Sequence, residues 1–152
     1  MRHAHGYREL GLVAEAKDEL SLIAPEHADE SEVLSEYAAL HQELGNWPEL
    51  EAVCRRLAKR HPGDPAWWIM WAYGARRAHS LEAAEKVLME AEVLHAKDAT
   101  IQFNLGCYAC QLGNLPAAQL RVRRAIALDP RFAELAKNDA DLEPLRKRAA
   151  SD

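Results

Sequence analysis

The stretch LGCYACQLGNLPAAQLRVRRAIALDP, Leu105 to Pro130, holds the pattern that decides the fold. A Leu-Gly pair, Leu112-Gly113, separates two runs whose apolar residues are spaced by three, four and seven, the spacing of one buried helix face. Asn114 follows the glycine as a helix-capping residue. Pro116 falls in the first turn of the next run, where a missing N–H costs little. The stretch reads as helix, tight turn, helix, ending near Pro130.

The same positions recur along the chain. Upstream stands Leu44-Gly45, followed by Leu50, Leu57 and Pro62. Upstream of that stands Leu10-Gly11, followed by Ala16 and Ile23. The step from Gly11 to Gly45 is half the step from Gly45 to Gly113, so one copy is due midway between the last two. It falls at Ala78-His79 and keeps Ala84, Ala91 and Ala96, with histidine in place of glycine. The first half of each unit repeats too. Tyr37, Trp71 and Leu105 share a register, as do Val33, Trp67 and Ile101, and the small residues Ala38, Ala72 and Gly106. A small side chain at a fixed offset lets the next helix approach closely. Asn46, Ser80 and Asn114 are the expected N-caps, and Glu49, three positions after Asn46, completes a capping-box pattern.

This pattern resembles the tetratricopeptide repeat family, whose units are 34-residue helix-turn-helix pairs. The resemblance covers about residues 1–132: a partial repeat at 1–30, then repeats at 31–64, 65–98 and 99–132. A capping helix and tail follow at 133–152, with Leu135, Leu142 and Leu145 expected to pack on the last repeat and RKRAASD expected to fray. The exit of the first repeat is irregular because Pro25 arrives early, and PEHADES reads as a reshaped linker. The resemblance implies a single all-α domain, a right-handed α-solenoid of antiparallel helix pairs.

Composition agrees with a helical globular protein. Apolar residues make up 49% and charged residues 28%, with only 7 Gly and 7 Pro. The net charge of −5 argues against a nucleic-acid partner, which a basic excess would serve. No apolar run approaches the roughly 18 residues of a membrane span, and the start has no apolar signal segment. Three cysteines are too few for a disulfide framework, so a reducing, cytoplasmic setting is expected.

Cys107 and Cys110 raise the question of chemistry. A redox pair normally sits at a helix N-terminus, where the helix dipole stabilises thiolate, and these two fall mid-helix. A zinc site needs four ligands, and no second Cys-x-x-Cys or nearby His pair exists. The reading is two small apolar residues, with a redox enzyme kept as the competing one. His3 and His5 read as a mobile terminus. His61 and His95 share an inter-repeat register and read as structural turn residues. Arg121, Arg123 and Arg124 read as a solvated outer face. No phosphate loop and no catalytic constellation occurs, so neither enzyme activity, cofactor nor metal is expected.

The resemblance implies a function. In this family the first helices line a concave groove that binds a protein or peptide. The matching offsets here are Ile69, Tyr73, Phe103 and Cys107 as an apolar strip, with Arg76, Arg77, Asn104 and Gln111 as polar flanks. Trp67, Trp68 and Trp71 are expected in the core, Trp67 against the neighbouring repeat. Repeat two contributes Glu32, Gln42 and Glu43, a more acidic end. A carboxylate clamp of the kind some relatives use is not expected, because Glu36 and Met70 stand where Asn104 would have equivalents. The expected partner is therefore a protein or peptide, with no nucleic acid and no membrane. Self-association into a homodimer through Tyr7 and Leu10 is the alternative.

Overall fold

The computed structural model describes residues 2–150. Its elements are ten α-helices and one 3₁₀ turn, with no strand among the described residues. The chain divides into two compact units, Met1–Ala78 and His79–Asp152.

The first unit holds α1 (Arg2–Glu9), α2 (Val13–Ser21), α3 (Ser31–Leu44), α4 (Trp47–Arg60) and α5 (Pro65–Ala78). Helices α3 and α5 begin at Ser31 and Pro65, one sequence period apart. The α3–α4 turn is built on Gly45 at φ 68°, a left-handed conformation that glycine adopts without steric penalty. There the N–H of Asn46 bonds to the His41 carbonyl and that of Gly45 to the Gln42 carbonyl, which closes the helix end. The expected Asn46–Glu49 capping box is not formed: Asn46 makes no side-chain cap bond. Pro48 in the first turn already removes one N–H that would need a partner.

Helix α2 stops at Ser21, well short of the 14 residues of α3 and α4, as the early Pro25 requires. The loop after it is anchored by Asp29, which pairs with Arg56 and Arg60 of α4. At the N-terminal end Ala4, Ala16, Leu20 and Leu40 are buried together, with Val13, Ile23 and Tyr37 packed on them. The Tyr37 hydroxyl donates to the Leu20 carbonyl at 3.1 Å. Leu50, Cys54, Leu57 and Ala58 form the buried stripe of α4. Helix α5 lies close against α4: a Cβ on Gly74 would come within 3.1 Å of the Glu51 backbone nitrogen. Trp68 and Trp71 are buried and stacked at 5.5 Å, as core residues.

The second unit holds α6 (Leu81–Leu94), α7 (Ala99–Gln111), α8 (Leu115–Leu128), α9 (Phe132–Asn138), a 3₁₀ turn (Ala140–Leu142) and α10 (Glu143–Ala149). Helices α6 and α8, beginning at Leu81 and Leu115, are again one period apart. Ser80 and Asn114 cap them as expected, accepting from Ala83 and Ala117. Asp98 caps α7 by accepting from Ile101, and Asp64, one period earlier, accepts from Ala66 at the start of α5. At Gly106 a Cβ would stand 2.9 Å from Val122 Cγ2, so the small residue of the sequence register is where α8 crosses α7.

Two sequence expectations for this unit change. Arg121 is not on a solvated face. It pairs with Glu92 of α6 and donates to Gln102 Oε1 of α7 at 2.9 Å, while Gln102, fully buried, donates to Glu92 at 2.8 Å. Buried polar groups must be paired, and this network ties three helices together. The C-terminal segment is also not one helix. Pro144, lacking an N–H, sits in the first turn of α10, and Asp139 is extended and caps the 3₁₀ turn. Leu142 is buried and Leu145 half-buried, but Leu135 is exposed. Helix α10 includes Arg146–Ala149 of the segment expected to fray; Ser151 and Asp152 lie outside the described residues.

Candidate partner-binding surfaces

On α5, Ile69, Tyr73 and Arg77 stand at four-residue steps, so they share one helix face. Tyr73 and Ile69 are half-buried and Arg77 is exposed. Trp47, at the start of α4, meets Tyr73 edge to face with ring centroids 5.7 Å apart. The Arg77 guanidinium lies 3.5 Å from the Tyr73 ring centroid and 5.2 Å from that of Trp47. Cation–π attraction holds the arginine against the Tyr73 ring, with Trp47 close by. Arg76, also of the expected set, is half-buried beside them. Trp47 is not among the expected residues. A signal for it exists, since a tryptophan occupies the register of Leu81 and Leu115, but only the close α4–α5 packing brings it to Tyr73.

The acidic end expected on repeat two is partly neutralised. Arg8 of α1 donates to Glu43 at 2.8 Å and approaches Glu36 at 3.5 Å, and these partners hold the guanidinium pKa above its ordinary value.

On α7 the equivalent face reads Phe103, Cys107, Gln111, and here the expectation of an open apolar strip fails. Phe103 is 5% exposed and Cys107 4%. Phe132 packs on Phe103 at 4.9 Å, and the Gln111 amide donates to the Asp141 carbonyl at 2.7 Å. The chain's own C-terminal segment thus lies along this face. Asn104 is half-buried. The Cys107 sulfur and one carboxylate oxygen each of Asp139 and Asp141 lie within 4.8 Å of one another. Three groups of metal-ligating type therefore converge where the sequence points to none.

The cysteines behave as apolar residues. All three are buried. Burial pushes the Cys54 thiol up to about 12 and also raises that of Cys110, the reverse of what a redox thiol needs.

A second feature of the first unit joins residues distant in sequence. Ser31, Glu32, Ser35, Leu57, His61, Asp64 and Trp67 line an open cavity of about 330 Å³. Ser31 Oγ and His61 Nε2, both on its lining, lie 2.7 Å apart. His61 is thus more than a turn residue. Trp67 does stand beside the preceding repeat, though at a cavity wall.

The tetratricopeptide repeat family matches residues 31–74, from the start of α3 into α5. Against curated proteins the sequence has no match. Among solved structures, the chain is similar to MamA at a TM-score of 0.75 and 14% identity, covering 97% of this chain and 90% of that one. It is similar to TTC0263, a thermophilic protein of this repeat family in Thermus thermophilus, at 0.65 and 20%, covering 99% and 86%. It is also similar to the Cut9–Hcn1 hetero-tetramer of APC/C at 0.65 and 17%, covering 96% of this chain and 28% of that one. At such identities the likeness is one of fold, an all-α helical-repeat solenoid. No helix among the described residues is long and apolar enough to cross a membrane. The tetratricopeptide-repeat sequence thus lies at residues 31–74, and the helical pairs on either side share the fold of TTC0263, a solved protein of that family.

Proposed function

We propose that this protein is a non-catalytic protein–protein interaction module that holds a peptide or partner segment on the face of α5. The observation that carries this reading is the Trp47–Tyr73–Arg77 cluster. Trp, Tyr and Arg dominate the energetics of protein interfaces, because each joins a large rigid contact area to a polar handle. The edge-to-face and cation–π contacts fix the three side chains before a partner arrives, so little side-chain entropy is lost on binding. Ile69 adds an apolar contact and Arg76 a polar flank. Asn104 and Gln111 belong to the second unit and are secondary in this proposal.

The test is affinity capture with Tyr73→Ala/Arg77→Glu beside wild type, read by mass spectrometry, with helicity checked by circular dichroism. Partners held by wild type are expected to fall at least tenfold in the variant at unchanged helicity. Undiminished capture rejects the α5 surface. Phe103→Glu is not a suitable companion, because Phe103 is a core residue.

A second reading is self-association. Leu10 is 75% and Leu22 79% exposed, with Tyr7 and Leu12 partly exposed nearby in sequence. Light scattering over a concentration series decides it: a dimer that dissociates in Leu10→Lys/Leu22→Lys supports it, and a monomer throughout removes it.

A further inference from the structure

We propose that Cys107 of α7, with Asp139 and Asp141 of the C-terminal segment, forms a binding site for a thiophilic divalent cation of the zinc type, and that the ion staples the end of the chain to the last helical pair.

The three side chains come from two parts of the chain that no motif spacing joins. Cys107 lies in the middle of α7, and the two aspartates flank Ala140 at the 3₁₀ turn. The fold brings the Cys107 sulfur and one oxygen of each carboxylate within 4.8 Å of one another. In a tetrahedral zinc site, with bonds of about 2.0–2.3 Å, neighbouring donors stand about 3.3–3.7 Å apart. Side-chain rotation covers the difference. The donor set selects the ion. Thiolate favours zinc over magnesium and calcium, and carboxylate oxygens are ordinary zinc ligands. As the sulfur binds, its proton leaves to solvent, and the divalent charge offsets the thiolate and the two carboxylates.

The surroundings separate this cluster from a group of surface acids. Cys107 is 4% exposed, and both aspartates are half-buried. A cysteine serving only as a small apolar residue gains nothing from two carboxylates beside its sulfur, and the carboxylates lose hydration there. A bound cation offsets that cost. Both aspartates are also held in place. Asp139 Oδ1 accepts the Asp141 N–H at 2.9 Å, and the Asp141 carbonyl accepts from Gln111 at 2.7 Å. Arg146 donates to the Asp139 carbonyl at 2.7 Å. These bonds fix the backbone that carries the donors, as the outer shell of a metal site does. The segment itself gains from the ion. Leu142 is the one buried side chain of residues 132–150, set against the entropy of ordering that whole stretch. A structural metal supplies folding energy where apolar burial is this sparse.

The probe is Co²⁺, added to the reduced full chain after treatment with a chelator. Wild type is expected to show a thiolate-to-cobalt charge-transfer band in the near ultraviolet, which Zn²⁺ displaces. Cys107→Ser is expected to lose the band. Asp139→Asn/Asp141→Asn keeps the thiol and the turn-capping shape, and is expected to bind Co²⁺ about tenfold more weakly or worse. Circular dichroism confirms that each variant is folded. Amide exchange gives an independent reading: Zn²⁺ slows exchange at residues 139–149 of wild type and leaves the double variant unchanged. Absence of the band in wild type overturns the proposal. So does a band that survives Cys107→Ser, equal binding by the double variant, or exchange that Zn²⁺ does not slow.

Discussion

At the scale of single residues, environment decides chemistry. Cys-x-x-Cys is a redox motif where a helix N-terminus or a nearby cation lowers the thiol pKa. Cys107 and Cys110 lie inside α7, both less than 5% exposed, and Cys54 is fully buried in α4. Burial destabilises the thiolate of Cys54 and Cys110, so these two sulfurs stay protonated. The expected outcome with a thiol-specific reagent at neutral pH is little or no reaction of Cys54 and Cys110 in the folded protein. All three cysteines react once denaturant is added. Rapid labelling of Cys110 before unfolding would contradict this. Arg77 shows the opposite influence of surroundings: an exposed arginine becomes a fixed feature because the Tyr73 ring holds it, with Trp47 close by.

At the scale of elements, the small positions of the repeat are the contact points of the helix pairs. Ala38 and Ala72 are buried, and Gly106 meets Val122 so closely that no Cβ fits without movement. Gly106→Ala gains helix propensity, about 1 kcal/mol. It also forces α8 away from α7, and overpacking of this kind costs about 1–3 kcal/mol. The expected net result is a loss of up to about 2 kcal/mol in urea unfolding. A variant more stable than wild type would show that α7 and α8 separate easily. The repeat register that marks Gly106 was legible in the sequence. The covering of Phe103 and Cys107 was not, because it depends on where Pro144 and Asp139 bend the segment after the last repeat.

At the scale of the whole molecule, acid should destabilise the fold, and Glu92 is the carboxylate to watch. Its hydrogen bond from Arg121 holds its pKa below the ordinary carboxylate value. The folded state therefore binds a proton less readily than the unfolded chain. The stabilisation is complete above the ordinary glutamate pKa of about 4.3 and is lost as pH falls through the lower folded value. Glu134 and Glu143 shift the same way but are exposed, so they add little. Arg121→Met strands Glu92 and Gln102 without their partner. It is expected to cost about 1–3 kcal/mol at pH 7 and to flatten the acid dependence. Stability curves from pH 7 down to about 3, wild type beside the variant, check both. Parallel curves would remove Glu92 from the account.

Period and polarity alone determined the helical pairs, their turns at Gly45 and Gly113, and the repeat sequence matched at residues 31–74. These are local properties: a regular spacing, a left-handed glycine and an apolar stripe need no knowledge of distant contacts. Tertiary structure alone decided which repeat positions stay open. Trp47 reaches Tyr73 because α4 and α5 pack closely at Gly74, and Ser31 meets His61 across a helix pair. The α7 stripe has the same register as the α5 stripe, yet its fate differs because the C-terminal segment folds back over it. A register places a side chain on a helix face, whereas its exposure depends on every element that packs there.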